Sequence, residues 1–436
     1  MTHTEARSIV KEVLLLGLGG DIGVYAFQRA AHEKYGWKPM VLSKVRTTFL
    51  KHSTLAEWVI EPEIHSPDVL IARINDIAAA HPDHELILFT NLDWHVRTLA
   101  QHRDKIDPRW LQPFCDLATF DRVSSKTAFA QICDEVGVRT PFTIAVGFTA
   151  ASASGTVTPA EALAAIRERG LEYPLIGKPS TSADWFEVAF DGKQKIHHFT
   201  SEAEVVAVLD ALSAKQYPSE FLIQEFVPGD ETHMRSLTAY RDRAGEVTLL
   251  AGGQVLLEEH TPGTLGIPAA ILTEVDDEAL ADAVKILDAS NYYGFANFDY
   301  KVSSRDQGRV FFEANPRIGR NNYYVTAAGV NVAEVVARDV LPEHYEAHRD
   351  PGETETATPT GQILYSVVPY RLLMKYIKEP ALRATVTAAK KRSGIFHPLV
   401  YKADHGLKRR LYVHALNVRL AMKYRKYYPE PTDSGF

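Results

Sequence analysis

The chain is poor in cysteine and has no long apolar run. Only Cys115 and Cys133 occur among 436 residues, and their spacing supports neither a disulfide framework nor a zinc or redox site, so we expect both to be buried as small apolar side chains. No stretch reaches the roughly 20 apolar residues of a membrane-spanning helix. Residues 1–12 are polar, unlike a secretory signal. These absences predict a cytoplasmic protein.

The remaining composition is that of a globular protein. Hydrophobic residues make up 45% and charged residues 24% of the chain, values that exclude a fibrous or disordered protein. A chain of this length exceeds what one hydrophobic core normally holds, and it predicts about three folding units.

The N-terminal region alternates strand and helix patterns. VLLLGLGGDIGVYAFQRA predicts a buried strand, a glycine-rich turn and a helix that begins near Asp21. KPMVLSK and ELILFTN predict further strands, with helical stretches between them. This alternation is typical of a parallel sheet, and it predicts an α/β fold. Asn91 and Asp93 follow the third of these strands, at the edge where open parallel sheets bind ligands, so they are candidates for contacting an acceptor.

The glycine-rich turn allows a second interpretation. Gly17, Gly19, Gly20 and Gly23 could bind a dinucleotide, which would make the protein an NAD-dependent oxidoreductase. The glycines depart from the strict G-x-G-x-x-G spacing, and no acidic residue stands clearly at the end of a second strand. We therefore keep this reading only as an alternative.

The segment FFEANPRIGRNN, residues 311–322, places an acid and an amide two residues apart at the end of a predicted strand. Glu313 and Asn315 would point the same way because side chains alternate along a strand. GFANFDYKV predicts a neighbouring strand that offers Asp299. Oxygen donors of this kind suit Mg²⁺, and Arg317 would add positive charge for phosphate groups. The alternative to a metal site is that these side chains only form salt bridges at the end of a strand.

These residues resemble the ATP-grasp superfamily of carboxylate-amine ligases. The resemblance implies an ATP-grasp fold with an N-terminal Rossmann-like domain, and magnesium ions held by Asp299, Glu313 and Asn315. FLIQEFVPGDE is similar to the family's adenine-binding hinge, which implies contacts from a set of hinge residues: Gln224, Glu225, Phe226, Val227 and, to the ribose, Glu231. Lys126 and Lys178 precede the hinge in the order of the family's two phosphate-binding lysines.

Two features depart from the family's pattern. The loop after Lys178 reads STSADWFEV and lacks the glycines that close over the phosphates in many members. Hydroxyls of Ser180, Thr181 and Ser182 could replace them. Asn297 stands where some relatives have an arginine, whose charge Arg317, Arg320 or Arg235 would have to supply. The sequence therefore does not identify which groups contact the phosphates at these two places.

The resemblance also divides the chain. It implies an N-terminal Rossmann-like domain at 1–113, an ATP-grasp domain at 114–345 and a basic, partly helical extension at 346–436. Between residues 364 and 428, fifteen Lys or Arg face only Glu379 and Asp404, a net charge of +13 within a chain of net charge −7. Such asymmetry predicts an anionic partner for the extension.

Residues 407–428 predict a helix in that extension, with an apolar stripe between basic flanks: Leu407, Leu411, Ala415, Val418 and Met422. A membrane surface would suit such a helix. An anionic nucleotide-linked or phospholipid-linked precursor would suit its charge, and simple packing on the protein is a further alternative. No recognition motif accompanies the charge, so we do not expect nucleic acid as the partner.

Within the superfamily, the size, NPRIGRNNYYVTAAG and the basic extension look most like the bacterial D-aspartate ligases. That resemblance implies that ATP activates the side-chain carboxylate of D-aspartate and that the amine of a peptidoglycan precursor then displaces phosphate. Lys178, Arg317 and Arg320 would serve catalysis, with Arg320 binding the unreacted carboxylate. Relatives often form homodimers. A non-catalytic ATP-binding scaffold and a ligase with other substrates remain as alternatives.

Overall fold

The structure is a computed structural model that describes residues 11–46, 49–180, 182–194, 196–261, 263–349, 356–404 and 406–432. The chain forms two compact units. Unit 1 comprises Met1–Ser124, Asp230–Tyr300 and Glu313–Phe436, and unit 2 comprises Ser125–Gly229 and Lys301–Phe312. Each unit is therefore assembled from separate segments of the chain. The division of the sequence into three successive domains stays a prediction.

The N-terminal part of unit 1 is a parallel sheet in the order β3-β2-β1-β4-β5. Its strands are β1 (Val13–Leu18), β2 (Met40–Ser43), β3 (Glu57–Ile60), β4 (Glu85–Phe89) and β5 (Trp110–Leu111). Its helices are α1 (Ile22–Tyr35), α2 (Pro67–Ala80), α3 (Asp93–Gln101) and α4 (Leu117–Ser124), with a 3-10 turn at Arg103–Lys105. The predicted parallel sheet is confirmed, although the short β3 and β5 gave no clear signal in the sequence.

Unit 2 is built on an antiparallel sheet of order β6-β9-β7-β8. Its elements in chain order are α5 (Lys126–Glu135), β6 (Thr143–Val146), α6 (Pro159–Glu168), β7 (Leu175–Pro179), α7 (Ser182–Glu187), β8 (His197–Phe199), α8 (Glu202–Ala214) and β9 (Phe221–Glu225). Alternate side chains such as Ile144, Leu175 and Ile223 form its core on one face of the sheet. The opposite face is left for other contacts.

A seven-stranded sheet of order β14-β13-β10-β11-β12-β15-β16 follows. Its strands are β10 (Met234–Arg241), β11 (Val247–Glu259), β12 (Ile267–Glu274), β13 (Gly294–Val302), β14 (Arg309–Asn315), β15 (Leu364–Ser366) and β16 (Ile395–Phe396), after a 3-10 turn at Glu231–His233. The helices are α9 (Asp277–Ala289), α10 (Tyr323–Ala327), α11 (Val332–Val340), α12 (Pro342–His348), α13 (Tyr370–Tyr376), α14 (Pro380–Ser393) and α15 (Leu407–Tyr427). None of the helices in the described ranges is long and apolar enough to cross a membrane.

One hydrophobic core joins the distant segments of unit 1. Phe27 of α1 stacks on Phe89 of β4 with 3.7 Å between ring centroids, and its edge meets Phe295 of β13. Tyr240 of β10 packs on the other side of Phe295, at 4.6 Å. The N-terminal sheet and the seven-stranded sheet are thus held together by aromatic side chains from four elements.

Candidate active site

Two acids and an amide from the neighbouring strands β13 and β14 come together in unit 1. The side-chain nitrogen of Asn315 donates to Asp299 Oδ2 at 3.1 Å and to Glu313 Oε1 at 3.5 Å. The same nitrogen also lies 3.3 Å from the carbonyl oxygen of Asn297. The structure therefore gathers the three residues that were predicted to bind magnesium. Sheet geometry explains the grouping, because β13 and β14 are neighbours and Glu313 and Asn315 share a face.

The electrostatics of this group favour a bound cation. Burial and the nearby Glu313 carboxylate raise the pKa of Asp299, while Arg317 and the hydrogen bond from Asn315 lower it in part. Two carboxylates held this close repel one another, and a divalent cation relieves that repulsion. No group of three His, Cys, Asp or Glu side chains within the described ranges could hold a metal. Mg²⁺, however, commonly uses only one or two carboxylates and takes its other ligands from water and phosphate.

Arg317 lies beside the acid pair in unit 1. Its Nε is 3.4 Å from Asp93 Oδ1 at the start of α3, and its side chain is 17% exposed. The positive charge partly offsets the burial of Asp299. Asp93, which was expected to contact an acceptor, is half exposed and forms this ion pair, and its contact with an acceptor stays a prediction.

Arg320 is held by two acids. Its Nε donates to Asp21 at 2.9 Å and its Nη1 donates to Glu259 at 2.7 Å. Although burial opposes the charged form, the two carboxylates raise the pKa of Arg320. A substrate carboxylate would have to compete with both partners, so the geometry does not favour the predicted role of Arg320. Arg320 also borders a cavity of about 300 Å³ within unit 1.

The glycine-rich turn of unit 1 packs against the chain that follows β14. A Cβ atom on Gly23 would lie 2.5 Å from Asn91 Nδ2 and 3.0 Å from the backbone of Arg320. The side chain of Asn322 donates to the carbonyl oxygen of Gly23 at 3.0 Å. Gly23 is needed for this close approach, which accounts for a glycine here without a dinucleotide. The packing therefore weighs against the NAD interpretation.

Glu231 is placed unlike a ribose-binding residue. Its side chain is 4% exposed, and Oε2 accepts from the backbone nitrogen of Glu258 at 2.8 Å and lies 3.2 Å from His260 Nε2. Burial raises the pKa of Glu231. His260 stacks in turn on Tyr428, with 3.5 Å between centroids. These contacts do not favour the predicted ribose-binding role of Glu231. The local sequence gave no sign of them, because the partners are distant in the chain.

Unit 2 contains a cavity of about 690 Å³ on the open face of its sheet. Thr143, Leu222 and Gln224 line this cavity, as does Lys126 at the first position of α5. Lys178 is paired with Leu222 across β7 and β9, so its side chain belongs to the same face of the sheet. The volume suits a nucleotide-sized ligand. The structure thus brings both predicted phosphate-binding lysines to one face of unit 2.

Among the predicted hinge residues, Gln224 lines this cavity, and Arg139 and Phe142, which contact Glu225, line it as well. Glu225 ends β9, where Oε1 accepts from Arg139 at 3.2 Å and Oε2 accepts from the backbone nitrogen of Phe142 at 3.4 Å. Gln224 donates to the Thr143 hydroxyl at 2.7 Å. Arg139, which also pairs with Asp306, was missed in the sequence because its partners are distant in the chain.

Phe226 and Val227 of the hinge lie in unit 2 as well, whereas Glu231 lies in unit 1. Val227 is buried, and the Phe226 ring lies 5.3 Å from Lys301 Nζ. The Lys301 ammonium donates to the carbonyl oxygen of Gly229. In the proposed phosphate lid, Thr181 lies outside the described residues, as does the side chain of Ser182. Lys301, a residue without a predicted role, thus stabilises the conformation of the hinge.

Lys178→Met should weaken ATP binding by about tenfold to a hundredfold, because a hydrogen bond to a charged group typically contributes about 1.5–3 kcal/mol. Methionine retains most of the aliphatic stem but loses the ammonium group, whose Nζ lies 5.9 Å from the centroid of the Phe312 ring. Calorimetric titration with ADP would measure the change. Lys215→Met, at an exposed position after α8, is the control and should bind normally. Equal affinities for the two variants would contradict the assignment of Lys178.

The comparisons with known proteins agree with this geometry. No protein-family model matches the chain. The D-aspartate ligase of Enterococcus faecium (strain Aus0004) is 25% identical over 426 residues, which cover 96% of this chain and 97% of that protein. The L-amino acid ligase from Bacillus licheniformis superposes with a TM-score of 0.52 at 13% identity, covering 78% of each chain. Carboxyaminoimidazole ribonucleotide synthase from Aspergillus clavatus, complexed with ATP, superposes with a TM-score of 0.53 at 13% identity, and the superposition covers 81% of each chain.

The chain has the ATP-grasp fold. The predicted fold class is thereby confirmed. The predicted resemblance to ATP-grasp ligases is also confirmed, since the match to the D-aspartate ligase runs over nearly the whole of both chains. The prediction of an ATP-dependent ligase is confirmed at the level of enzyme class. The roles of individual residues stay predictions.

Proposed function

We propose that the chain joins a carboxylate to an amine through an acyl phosphate, with D-aspartate as the activated amino acid. The observation that carries this proposal is the similarity to the D-aspartate ligase of E. faecium over 96% of the chain. The acceptor we propose is the side-chain amine of a peptidoglycan precursor peptide. The need for ATP makes the cytoplasm the expected place of reaction.

The chemistry requires a carboxylate to become an electrophile. Transfer of the γ-phosphoryl group of ATP to a carboxylate oxygen forms an acyl phosphate and releases ADP. The amine then attacks the acyl carbon, the C–N bond forms, and the C–O bond to phosphate breaks as the amine loses a proton. Both steps depend mainly on alignment and on neutralising phosphate charge.

We assign the nucleotide-binding role to unit 2. Lys126 and Lys178 supply positive charge for phosphate groups, and the hinge from Gln224 to Val227 supplies the wall for the adenine. Support comes from the cavity of about 690 Å³ and from the two lysines on its face of the sheet. A nucleoside triphosphate is a ligand of suitable size and charge.

We assign the magnesium-binding role to unit 1. Asp299, Glu313 and Asn315 would hold the ion, which neutralises phosphate charge when it is bound. Asn315 would have to present its oxygen, whereas its nitrogen now donates to Asp299. Arg317 is our candidate for stabilising the developing charge, and its guanidinium forms an ion pair with Asp93.

The direct test uses hydroxylamine, which intercepts an acyl phosphate without the natural acceptor. The protein is incubated with Mg-ATP, hydroxylamine and a panel of D- and L-amino acids, and hydroxamate and ADP are measured. Signal that depends on D-aspartate would support the acyl-phosphate chemistry and D-aspartate as the activated amino acid. Signal with a different carboxylate would retain the ligase and reject D-aspartate. ATP binding without any hydroxamate across the panel would favour a non-catalytic scaffold.

A further inference from the structure

The helix α15 (Leu407–Tyr427) is fixed to unit 1 by its inner face. Arg409 Nη1 donates to the carbonyl oxygens of Phe49 at 2.7 Å and Lys51 at 3.0 Å. Near the other end, the Tyr424 hydroxyl donates to the carbonyl oxygen of Glu258 at 2.6 Å. Arg409, Val413 and Tyr424 are the buried residues of the helix. The orientation of α15 about its own axis is therefore set by contacts at both ends.

The apolar stripe lies on the opposite, outer face. Leu407 is 70% exposed, Leu411 63%, Val418 49% and Met422 62%. Their three- and four-residue spacing places them on one side of the helix. The sequence left open whether this stripe packs on the protein, and in the structure it does not. Four large aliphatic side chains in a row are more than the isolated exposed residues that are normal on a protein surface.

The charge around the stripe is positive throughout. On one flank lie Lys408 and Lys426, and on the other Arg410, all of them exposed. The sequence of α15 contains no Asp or Glu. The first acid after the helix, Glu430, is paired with Lys375 at 2.8 Å. An apolar stripe bordered by Lys and Arg fits a surface that offers both hydrocarbon and negative charge.

We propose that the outer face of α15 docks on an anionic phospholipid bilayer. Leu407, Leu411, Val418 and Met422 would enter the boundary between headgroups and acyl chains, while the flanking Lys and Arg side chains reach lipid phosphates. This inference goes beyond the proposed ligase activity and does not depend on it.

Other occupants fit the same face less well. A second copy of α15 would bring basic flanks against basic flanks, without acids to pair them. Nucleic acid would match the positive charge, but it offers no partner for a row of aliphatic side chains, since single-stranded bases stack on aromatic rings. A lipid bilayer satisfies the stripe and the flanks together.

Vesicle co-sedimentation with the full chain tests this inference. The protein should pellet with vesicles of phosphatidylcholine mixed with phosphatidylglycerol and should remain in solution with phosphatidylcholine alone, because the basic flanks require lipid charge. High salt should reduce the bound fraction. Equal binding to both kinds of vesicle, or no binding to either, would overturn the proposal.

Two sets of variants separate the stripe from the charge. Leu411→Gln with Met422→Gln, and separately Arg410→Glu with Lys426→Glu, should each weaken vesicle binding by on the order of tenfold or more. Val275→Gln, a 45% exposed apolar position outside α15, is the matched control and should bind vesicles normally. Hydroxamate formation in solution and the circular dichroism spectrum should be unchanged in all variants. Normal vesicle binding by the Leu411/Met422 variant would overturn the proposal.

Two further measurements identify a different occupant. Gel filtration that shows a dimer in the unaltered protein and a monomer in the Leu411→Gln, Met422→Gln variant would assign the face to a second copy. Tight oligonucleotide binding, lost in the Arg410/Lys426 variant but kept in the Leu411/Met422 variant, would assign it to nucleic acid. Either result, without binding to anionic vesicles, would overturn the lipid proposal.

Discussion

Glu313→Ala is expected to lower the rate of D-aspartate-dependent hydroxamate formation by on the order of a thousandfold, because it removes one of two carboxylates placed to hold a divalent cation. Asp299 would remain as the single carboxylate, and although its pKa loses the contribution of Glu313, burial still raises it, so the alanine variant should hold a divalent cation poorly. Initial rates at saturating Mg-ATP would measure the effect.

The folded state of this variant needs a separate check. Glu313 lies at the end of β14 and supplies no part of the hydrophobic core, so the denaturant midpoint should move little. Glu168→Ala, at an exposed position on α6, serves as the control and should retain full activity. Turnover close to that of the unaltered protein would show that Glu313 is not a metal ligand.

Asp404→Ala is expected to reduce the free energy of unfolding by about 3–5 kcal/mol, the usual loss when one partner of a buried ion pair is removed. Asp404 Oδ2 lies 3.4 Å from Arg409 Nε, and both side chains are at most 2% exposed. The carboxylate also accepts from the Tyr25 hydroxyl at 2.8 Å and the Ser53 hydroxyl at 2.7 Å. Alanine would leave the Arg409 guanidinium buried without its counter-charge. Urea denaturation followed by circular dichroism would measure the loss.

A double variant tests the cause of that loss. Asp404→Leu combined with Arg409→Met removes both charges, so it should be less destabilised than Asp404→Ala alone. Asp83→Ala, at an exposed position between α2 and β4, controls for the loss of an ordinary acid. A double variant at least as unstable as the single one would indicate that the hydrogen bonds made by Asp404 and Arg409, rather than their ion pair, provide the stability.

Local patterns in the sequence predicted the elements that carry the site. GFANFDYKV coincides with β13, and Phe221–Glu225 and Leu175–Pro179 form the strands that the apolar runs indicated. Side-chain alternation then placed Glu313 and Asn315 together. These predictions succeeded because each depends on residues that are close in the chain or on neighbouring strands.

Predictions that depended on distant partners were less complete. Arg320 is paired with Asp21 and Glu259, which come from two other parts of the chain, so its neutralisation could not be foreseen. Glu231 is covered by His260 and the backbone of Glu258 for the same reason. In both cases the residue type suggested a ligand, whereas tertiary contacts supplied a partner from the protein.

The helix α15 shows why periodicity alone could not orient an amphipathic segment. The spacing correctly predicted a helix and an apolar stripe, but the natural expectation is that such a stripe faces the core. The buried face instead includes Arg409, a residue that counts as polar in any such pattern. Asp404 and two backbone carbonyl groups offset the cost of burying its charge. A local sequence pattern cannot predict these partners, because the pattern does not include tertiary contacts.

The contacts of Asp404 and Arg409 also bear on the order in which the protein can be completed during synthesis. Tyr25, Ser53 and the backbone at Phe49 find their partners in a segment that leaves the ribosome more than 300 residues later. Domains commonly fold as they emerge, beginning with the N-terminal one. Here the first β-α units stay incompletely packed until the segment that carries Asp404 and Arg409 has been translated. Nascent chains of this protein should therefore depend on chaperones for an unusually large part of their synthesis.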